Sequence, residues 1–595
     1  MNALTLIVAT ACILVIAYRL YGGFVATKVL MLNSERTTPA HELNNGKDFV
    51  PMNKWVAFGH HFAAIAAAGP LVGPILAAQF GFLPGTIWLL VGAVIGGAVH
   101  DMVVLFASVR HKGQSLSEIA RAEIGPISGI AVGLAILFTI TITMAGLSLV
   151  VVHALKNNPW GTFTVGMTIP IAMIVGLIIR ARPDKLTFAT VLGMALVLLA
   201  VAFGPYVKGT WIGDLFTLSE TGVKLALPIY AFFAAALPVW FLLAPRDYLS
   251  SYMKIGTIGA LAIGIIFVNP VLQMPAVTDF IYGGGPIIKG PVWPFVSITI
   301  ACGAISGFHA LIGSGTTPKM IDNEKDILLV GFGGMLMETF VAMMALIAAC
   351  VLHPGDYFAI NSAPALFQKL NMTVVDLPML SELVGMDLAG RTGGAVSLAV
   401  GMASIFSSLP GMDHLMSYWY NFAILFEAVF ILTAIDAGTR VARYIVQDFF
   451  GVAFPKLKDN DWKPGVIGVS VLVCFLWGYL LYGGDIATVW PLFGVSNQLL
   501  ASIALAIGTS LILRRCKNAK YALVTLVPMV YLFCSVMTAG YWMIVNQYLP
   551  AHNYMNSVLS AIMMVLSVIV MFDAGSKWYR MVFGSPVGAV ADQEV

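Results

Sequence analysis

Apolar runs of membrane-spanning length follow one another along almost the whole chain. They cover residues 1–20, 55–78, 85–109, 126–153, 162–179, 186–203, 225–243, 257–278, 293–314, 327–352, 392–409, 414–436, 464–482, 485–510, 521–546 and 554–573. A helix crosses the hydrocarbon core with about 20 predominantly apolar residues, so the runs predict an all-α polytopic membrane protein of about 15 to 18 transmembrane helices. The whole of 1–595 reads as one integral membrane domain.

Composition agrees with that pattern. The chain is 59% hydrophobic and 10% charged, against about 25% charged in a soluble domain. The net charge of +3 is small, and the basic residues sit in particular loops, as a topology signal and not a nucleic-acid patch. Residues 1–17 carry no charged side chain, which predicts a retained first span and not a cleaved leader. Cys12, Cys302, Cys350, Cys474 and Cys534 lie in apolar runs and Cys516 in a basic loop, with no CxxC spacing. Neither a disulfide framework nor a zinc knuckle is expected.

Lys and Arg mark the cytoplasmic loops. Lys28, Arg36, Lys47 and Lys54 place 21–54 inside. Arg180, Arg182 and Lys185 mark a second inside loop, Arg440, Arg443, Lys456, Lys458 and Lys463 a third, and Arg514, Arg515, Lys517 and Lys520 a fourth. The 353–391 segment, with Asp356, Asp376, Glu382 and Asp387 against Lys369 and Arg391, reads as outside. The N-terminus is then outside, and 574–595 is a cytoplasmic tail. Crossings do not add up between 391 and 437 unless one of the runs 392–409 and 414–436 is re-entrant or a further span exists.

The run 55–78 is interrupted. It holds Gly59-His60-His61-Phe62, a stretch of alanines, and the pairs Gly69-Pro70 and Gly73-Pro74. Proline removes a backbone donor and glycine loosens the turn before it. In lipid an unpaired backbone group is expensive, so irregular backbone survives only within protein or beside a cavity. Broken helices with polar side chains at membrane depth are where transporters place substrate. Five runs later, 225–243 is interrupted at Ala236-Leu237-Pro238 and runs in the opposite sense, which fits inverted five-helix repeats. A rival pairing exists with Ser306-Gly307-Phe308-His309 through Gly313-Ser314-Gly315-Thr316-Thr317-Pro318, seven runs on.

Several polar side chains in these runs carry chemistry. Adjacent His60 and His61 point about 100° apart on a helix, so they do not share one ligand easily. Either suits an anionic substrate or a proton, or a hydrogen bond to a neighbouring helix. Gly69, Pro70, Gly73 and Pro74 offer unwound backbone and a helix N-terminus attractive to a carboxylate, or a packing kink. His309, Thr316 and Thr317 offer an imidazole, hydroxyls and free backbone, or a capped helix end. Asp101, beside His100, and the single acids Glu338 and Glu427 are costly in a membrane unless paired or used. A carboxyl that loads and releases a proton fits the second case. Asp436 and Arg440, four apart, read as a structural pair, and Asn497 and Gln498 as interhelical glue. Of the metal-ligand types, His60, His61, His100 and Asp101 are the candidates for zinc, a minor alternative. No H-E-x-x-H, G-x-S-x-G, P-loop or dinucleotide-binding signature occurs, and neither an enzyme nor a cofactor is expected.

These motifs resemble the carbon starvation protein A (CstA) family. The likeness rests on Gly59–Pro74, Phe308–Lys319, Met335–Glu338, Phe426-Glu427 through Arg440, Pro491-Leu492-Phe493-Gly494 through Gln498, and Asn44-Asn45-Gly46-Lys47-Asp48. It implies a bacterial inner-membrane secondary transporter with a LeuT/APC-like core of inverted five-helix repeats, used in uptake when carbon is scarce. Peptide uptake is the leading expectation and pyruvate–proton symport the alternative. A non-transporting membrane nutrient sensor is the other class. His60, His61, Gly69, Pro70, Gly73, Pro74, His309, Thr316 and Thr317 are the expected substrate contacts. Asp101, Glu338 and Glu427 are the expected proton-coupling groups, with a proton or other cation as coupling ion. The expected partners are a small molecule and the bilayer.

Overall fold

The computed structural model describes residues 1–46, 49–237, 242–451, 454–459, 462–516 and 518–583. Pro238, Lys47, Asp48 and Lys517 lie outside them, as does 584–595. The described residues form helices, turns and two isolated bridges, Asn2 to Val271 and Met52 to Ile321. Twelve helices are long and apolar enough to cross a membrane, or thirteen with one bent pair counted as a span. That is fewer than the hydropathy runs suggest, and the difference has three sources. The run 293–314 is split into Val292–Thr299, Ala301–Ala304 and Gly307–Gly313. The helix Glu220–Ala236 stops after 17 residues. Ala395–Ser407 has 13 residues, a rise of about 20 Å against a core of about 30 Å. This last helix is shorter than a full crossing needs.

Some boundaries also move. The first span continues to Val29, so the loop expected from 21 starts about two turns later. The run expected at 257–278 is the helix Leu243–Val268, ended by Asn269 in the left-handed region. Arg246, Asp247 and Lys254 lower the local hydropathy and displaced the run toward the C-terminus. The last helix, Tyr554–Phe583, absorbs the first ten residues of the expected tail. The 353–391 segment is folded into short helices, with Asp356 accepting hydrogen bonds from the backbone amides of Val375, Asp376 and Leu377.

The centre is Ile486–Arg515, buried along its whole apolar window. It packs against Pro126–Leu155, Leu523–Met543 and Tyr554–Phe583. At one end of the molecule, charged groups tie loops together. Arg110 pairs with Glu324 at 2.5 Å, and Glu324 also accepts from the Asn33 amide at 2.8 Å. Glu123 lies 3.0 Å from His111 Nε2 and 2.6 Å from Arg514 Nη2, while Lys577 donates to the Glu123 carbonyl at 2.7 Å. Burial alone pushes the Glu123 carboxyl up, but the His111 hydrogen bond and the Arg514 charge outweigh it and hold it below the usual carboxylate range.

Two predictions follow from this packing. A carboxyl with a lowered folded-state pKa stabilises above its unfolded value and loses that contribution as pH falls through the folded one. Glu123→Gln should therefore lower the thermal midpoint at pH 7, and the gap to wild type should close as pH drops below the ordinary carboxylate range. An equal midpoint at pH 7 would contradict the pairing. At Gly73, an added Cβ would lie 2.6 Å from the Thr299 carbonyl oxygen and 3.2 Å from Ile300 Cα. Gly73→Ala should cost about 1–3 kcal/mol as overpacking, read as a lower midpoint and folded yield in detergent. An unchanged midpoint would show that the two segments do not need this approach.

Candidate functional site

The first interruption falls one turn earlier than the Gly-Pro pairs suggest. Lys54–Ile65 ends at Ala66, and Gly69–Ala77 begins after Ala68, with a bend of 49° between the two pieces. Gly69-Pro70 opens the second piece, where proline's missing donor costs nothing and its φ suits the helix. Pro74 sits inside that helix without ending it. The unwound residues are therefore Ala66–Ala68, and the small residues do a different job. A Cβ on Gly69 would meet Cys302 Cβ at 2.3 Å. Glycine at 69 and 73 lets the first broken segment lie directly on the second.

The second segment is broken more than once. Ile300, Ile305 and Ser306 have non-helical backbone. Asn497 supplies what the break needs: its side-chain oxygen accepts from the Phe308 amide at 2.9 Å, and its amide donates to Ser306 Oγ at 3.1 Å. Gln498 donates to the Ser297 carbonyl at 2.7 Å. The central helix thus satisfies the interrupted backbone, as the glue reading of Asn497 and Gln498 anticipates. Of the two rival pairings of interrupted runs, it is the 292–319 segment that packs against the first break.

Between the broken segments lies a fully buried chain of ionisable side chains. His100 Nδ1 donates to Asp101 Oδ1 at 2.7 Å. His309 Nδ1 donates to the other oxygen, Oδ2, at 2.8 Å. The second nitrogen of His309 lies 3.0 Å from Glu338 Oε2 and 3.6 Å from Cys302 Sγ. Four helices contribute: Ala98–Arg110, Ala301–Ala304, Gly307–Gly313 and Gly334–Cys350. Glu338 Oε1 and His100 Nε2 have no partner among the described residues. Nearby, His61 Nδ1 and Thr317 Oγ1 are 2.9 Å apart, and His61 Nε2 is without a partner.

The expected site residues fall in separate places. Asp101, His309 and Glu338 form one connected group, and His61 and Thr317 form a bonded pair beside the first break. His60 and Thr316 are exposed. Glu427 lies apart on Met416–Phe450, buried, with neither oxygen partnered among the described residues. The four metal candidates do not assemble. Among the described residues, the donor atoms with ligand spacing are those of Cys302, His309 and Glu338, within 4.8 Å of one another.

A second charged cluster escaped the sequence reading. Asp436 does not pair with Arg440; Arg246 Nη1 lies 3.2 Å from Asp436 Oδ2, and the Tyr230 hydroxyl donates to the same oxygen at 2.6 Å. Arg246 also donates to the Tyr230 hydroxyl. Arg440 instead donates to the carbonyls of Ala234 and Leu237, at 2.7 and 2.8 Å, and Arg443 to that of Ala235 at 3.1 Å. Ala234 and Ala235 lie in the last turn of Glu220–Ala236 and Leu237 caps it, where carbonyls lack intrahelical partners and favour a cation. Lys254 donates to the Ala63 carbonyl at 3.0 Å, next to the first break. The overlooked signal was Arg246-Asp247 directly after Pro245, with Lys254 two turns on.

Comparison with known proteins agrees with the motifs. The family model described as carbon starvation protein CstA matches residues 2–539. The chain is 60% identical to a peptide transporter CstA of Bacillus subtilis, covering 98% of each chain. It is 47% identical to a peptide transporter CstA of Escherichia coli and 45% identical to the pyruvate/proton symporter BtsT of the same organism, each over 91% of this chain and 81% of the relative. Among solved structures, a manganese transporter mutant of Eremococcus coleocola is similar at a TM-score of 0.43 and 12% identity, over 90% of this chain and 99% of that one. With matching sequence over nearly its full length, the chain belongs to the carbon starvation protein CstA family.

Proposed function

We propose that the chain is a proton-coupled secondary transporter that takes up small carboxylate-bearing nutrients, peptides first, across the bacterial inner membrane. The observation that carries this reading is the His309 imidazole held between two buried carboxylates, Asp101 and Glu338, where two interrupted segments meet. Asp101 fixes the tautomer by accepting from Nδ1, so Nε2 faces Glu338. A proton on Glu338 is donated to Nε2; a proton on Nε2 is donated to Glu338. Moving it between them leaves the net charge of the group unchanged. Losing it leaves a further uncompensated anion in a dry interior, which is expensive. The site's charge thus biases which arrangement of the broken segments is stable, and this is what coupling requires.

The substrate lies at the first break. His61 Nε2 and the N-terminus of Gly69–Ala77 offer groups suited to a carboxylate, and the backbone of 66–68 is free of a helix. Alternating access moves the two broken segments against their surroundings within an inverted-repeat core. The N-terminus faces outward and the C-terminus inward, because the Arg514–Glu123 and Arg110–Glu324 pairs gather basic loops at one end. Glu427 is a second carrier along the proton route. A pyruvate–proton symporter is the second reading, favoured by the 45% identity to a relative of that name.

Purified protein in proteoliposomes separates these readings. An inward proton gradient should drive accumulation of labelled dipeptide; accumulation of labelled pyruvate unaffected by peptides would favour the second reading. Glu338→Gln should reduce gradient-driven accumulation by about tenfold or more, as loss of a single essential proton site, while exchange of internal for external substrate continues. The coupling assignment falls if Glu338→Gln and Glu427→Gln both leave gradient-driven uptake unchanged.

A further inference from the structure

We infer that Lys254 binds the substrate's carboxylate at the first helix break. The inference rests on the reading that the chain transports a carboxylate-bearing nutrient. Lys254 lies on Leu243–Val268, within a membrane-spanning helix, and is 5% exposed. An ammonium buried there is costly unless a counter-charge accompanies it. Among the described residues no carboxylate lies within 4.0 Å of it. Asp247, on the same helix two turns earlier, is beyond that distance and acts on Lys254 only through space, without touching it, and Asp436 is taken by Arg246 and Tyr230.

The surroundings of Lys254 are those of a cation left incomplete. An ammonium has three donors. One goes to the Ala63 carbonyl at 3.0 Å, and the Phe430 ring faces the charge at 4.2 Å from its centroid. The other two have no acceptor among the described residues. The remaining buried cations are committed differently. Arg246 has its carboxylate, Arg391 donates to the carbonyls of Asp387, His153 and Lys156, and Arg443 donates to that of Ala235. Lys254 is the one that stands at the first break. Ala63 is three residues before the unwound stretch 66–68, on the end of the piece that carries His61. A carboxylate arriving at the break meets the two unused ammonium donors and completes the pair. Both a peptide and pyruvate present that group.

The test removes the charge from each side in turn. Wild-type and Lys254→Met proteins are reconstituted, and inhibition of labelled-substrate uptake is measured with dialanine against dialanine amide and with pyruvate against pyruvamide. Wild type should prefer the acid over the amide by about tenfold to a hundredfold, the range of one charge-assisted hydrogen bond. In Lys254→Met that preference should fall by about tenfold, because the acid loses its ammonium contact and the amide does not. Lys254→Arg should keep the preference. A clip that merely holds the Ala63 carbonyl predicts a different result in the substrate-free protein. Removing a needed clip lowers the thermal midpoint, whereas replacing a buried charge that touches no carboxylate by a methionine of similar size raises it or leaves it unchanged. The inference is overturned by an undiminished acid preference in Lys254→Met, by equal recognition of acid and amide in wild type, or by a Lys254→Met protein too unstable to purify. Wild type that takes up neither dialanine nor pyruvate would overturn the functional reading and this assignment with it. Acid-selective wild-type uptake with unchanged selectivity in the variant would overturn this assignment alone.

Discussion

Every backbone polar group inside a bilayer must find a partner within the protein, and this chain breaks two of its membrane segments in spite of that constraint. Much of the surrounding structure meets the resulting demand. Asn497 and Gln498 on the central helix serve the amide of Phe308 and the carbonyl of Ser297. Lys254 serves the carbonyl of Ala63, and Arg440 and Arg443 serve the end of Glu220–Ala236. Gly69 and Gly73 bring the two broken segments into backbone contact, so that each shields the other from lipid. The breaks, once protected in this way, leave room for ionisable side chains that an unbroken bundle would have no reason to bury.

Those side chains fall into two groups with different chemistry. Asp101, His309 and Glu338 are joined through the imidazole, which has a carboxylate on each side. Arg246, Asp436 and Tyr230 form a buried ion pair that joins Leu243–Val268 to Met416–Phe450. Lys254 lies on the same helix as Arg246 but has only a carbonyl and an aromatic face. The first group suits an exchangeable proton, the second a fixed scaffold, and Lys254 an anion supplied from outside.

The sequence showed the membrane class, the site of the first break within a turn, and the acids and histidine that prove to be neighbours. Burying an acid is expensive enough for Asp101, Glu338 and Glu427 to stand out from their apolar runs one at a time. Their grouping was not legible, since Asp101 and His309 are 208 positions apart and nothing local records that they meet. The helix count was overestimated because hydropathy measures apolar length and not continuity, and Ile300 and Ile305 are apolar residues in broken backbone. Arg246 and Lys254 were missed for the converse reason: charge inside a helix lowered the very signal used to find it. Arg440 misled because the four-residue spacing to Asp436 is only a possible contact, and three carbonyls at the end of Glu220–Ala236 offered more to Arg440 and Arg443 together.

The proposed coupling links proton movement at the site where His309 joins two carboxylates to substrate movement at the first break. The most direct measurement follows both in one preparation. Wild-type proteoliposomes without an imposed gradient receive an excess of external dipeptide or pyruvate, and external pH and internal label are recorded together. Coupled transport predicts that the medium becomes more alkaline as label enters, with a fixed ratio of protons to substrate. Entry of label with no accompanying proton movement would contradict the account.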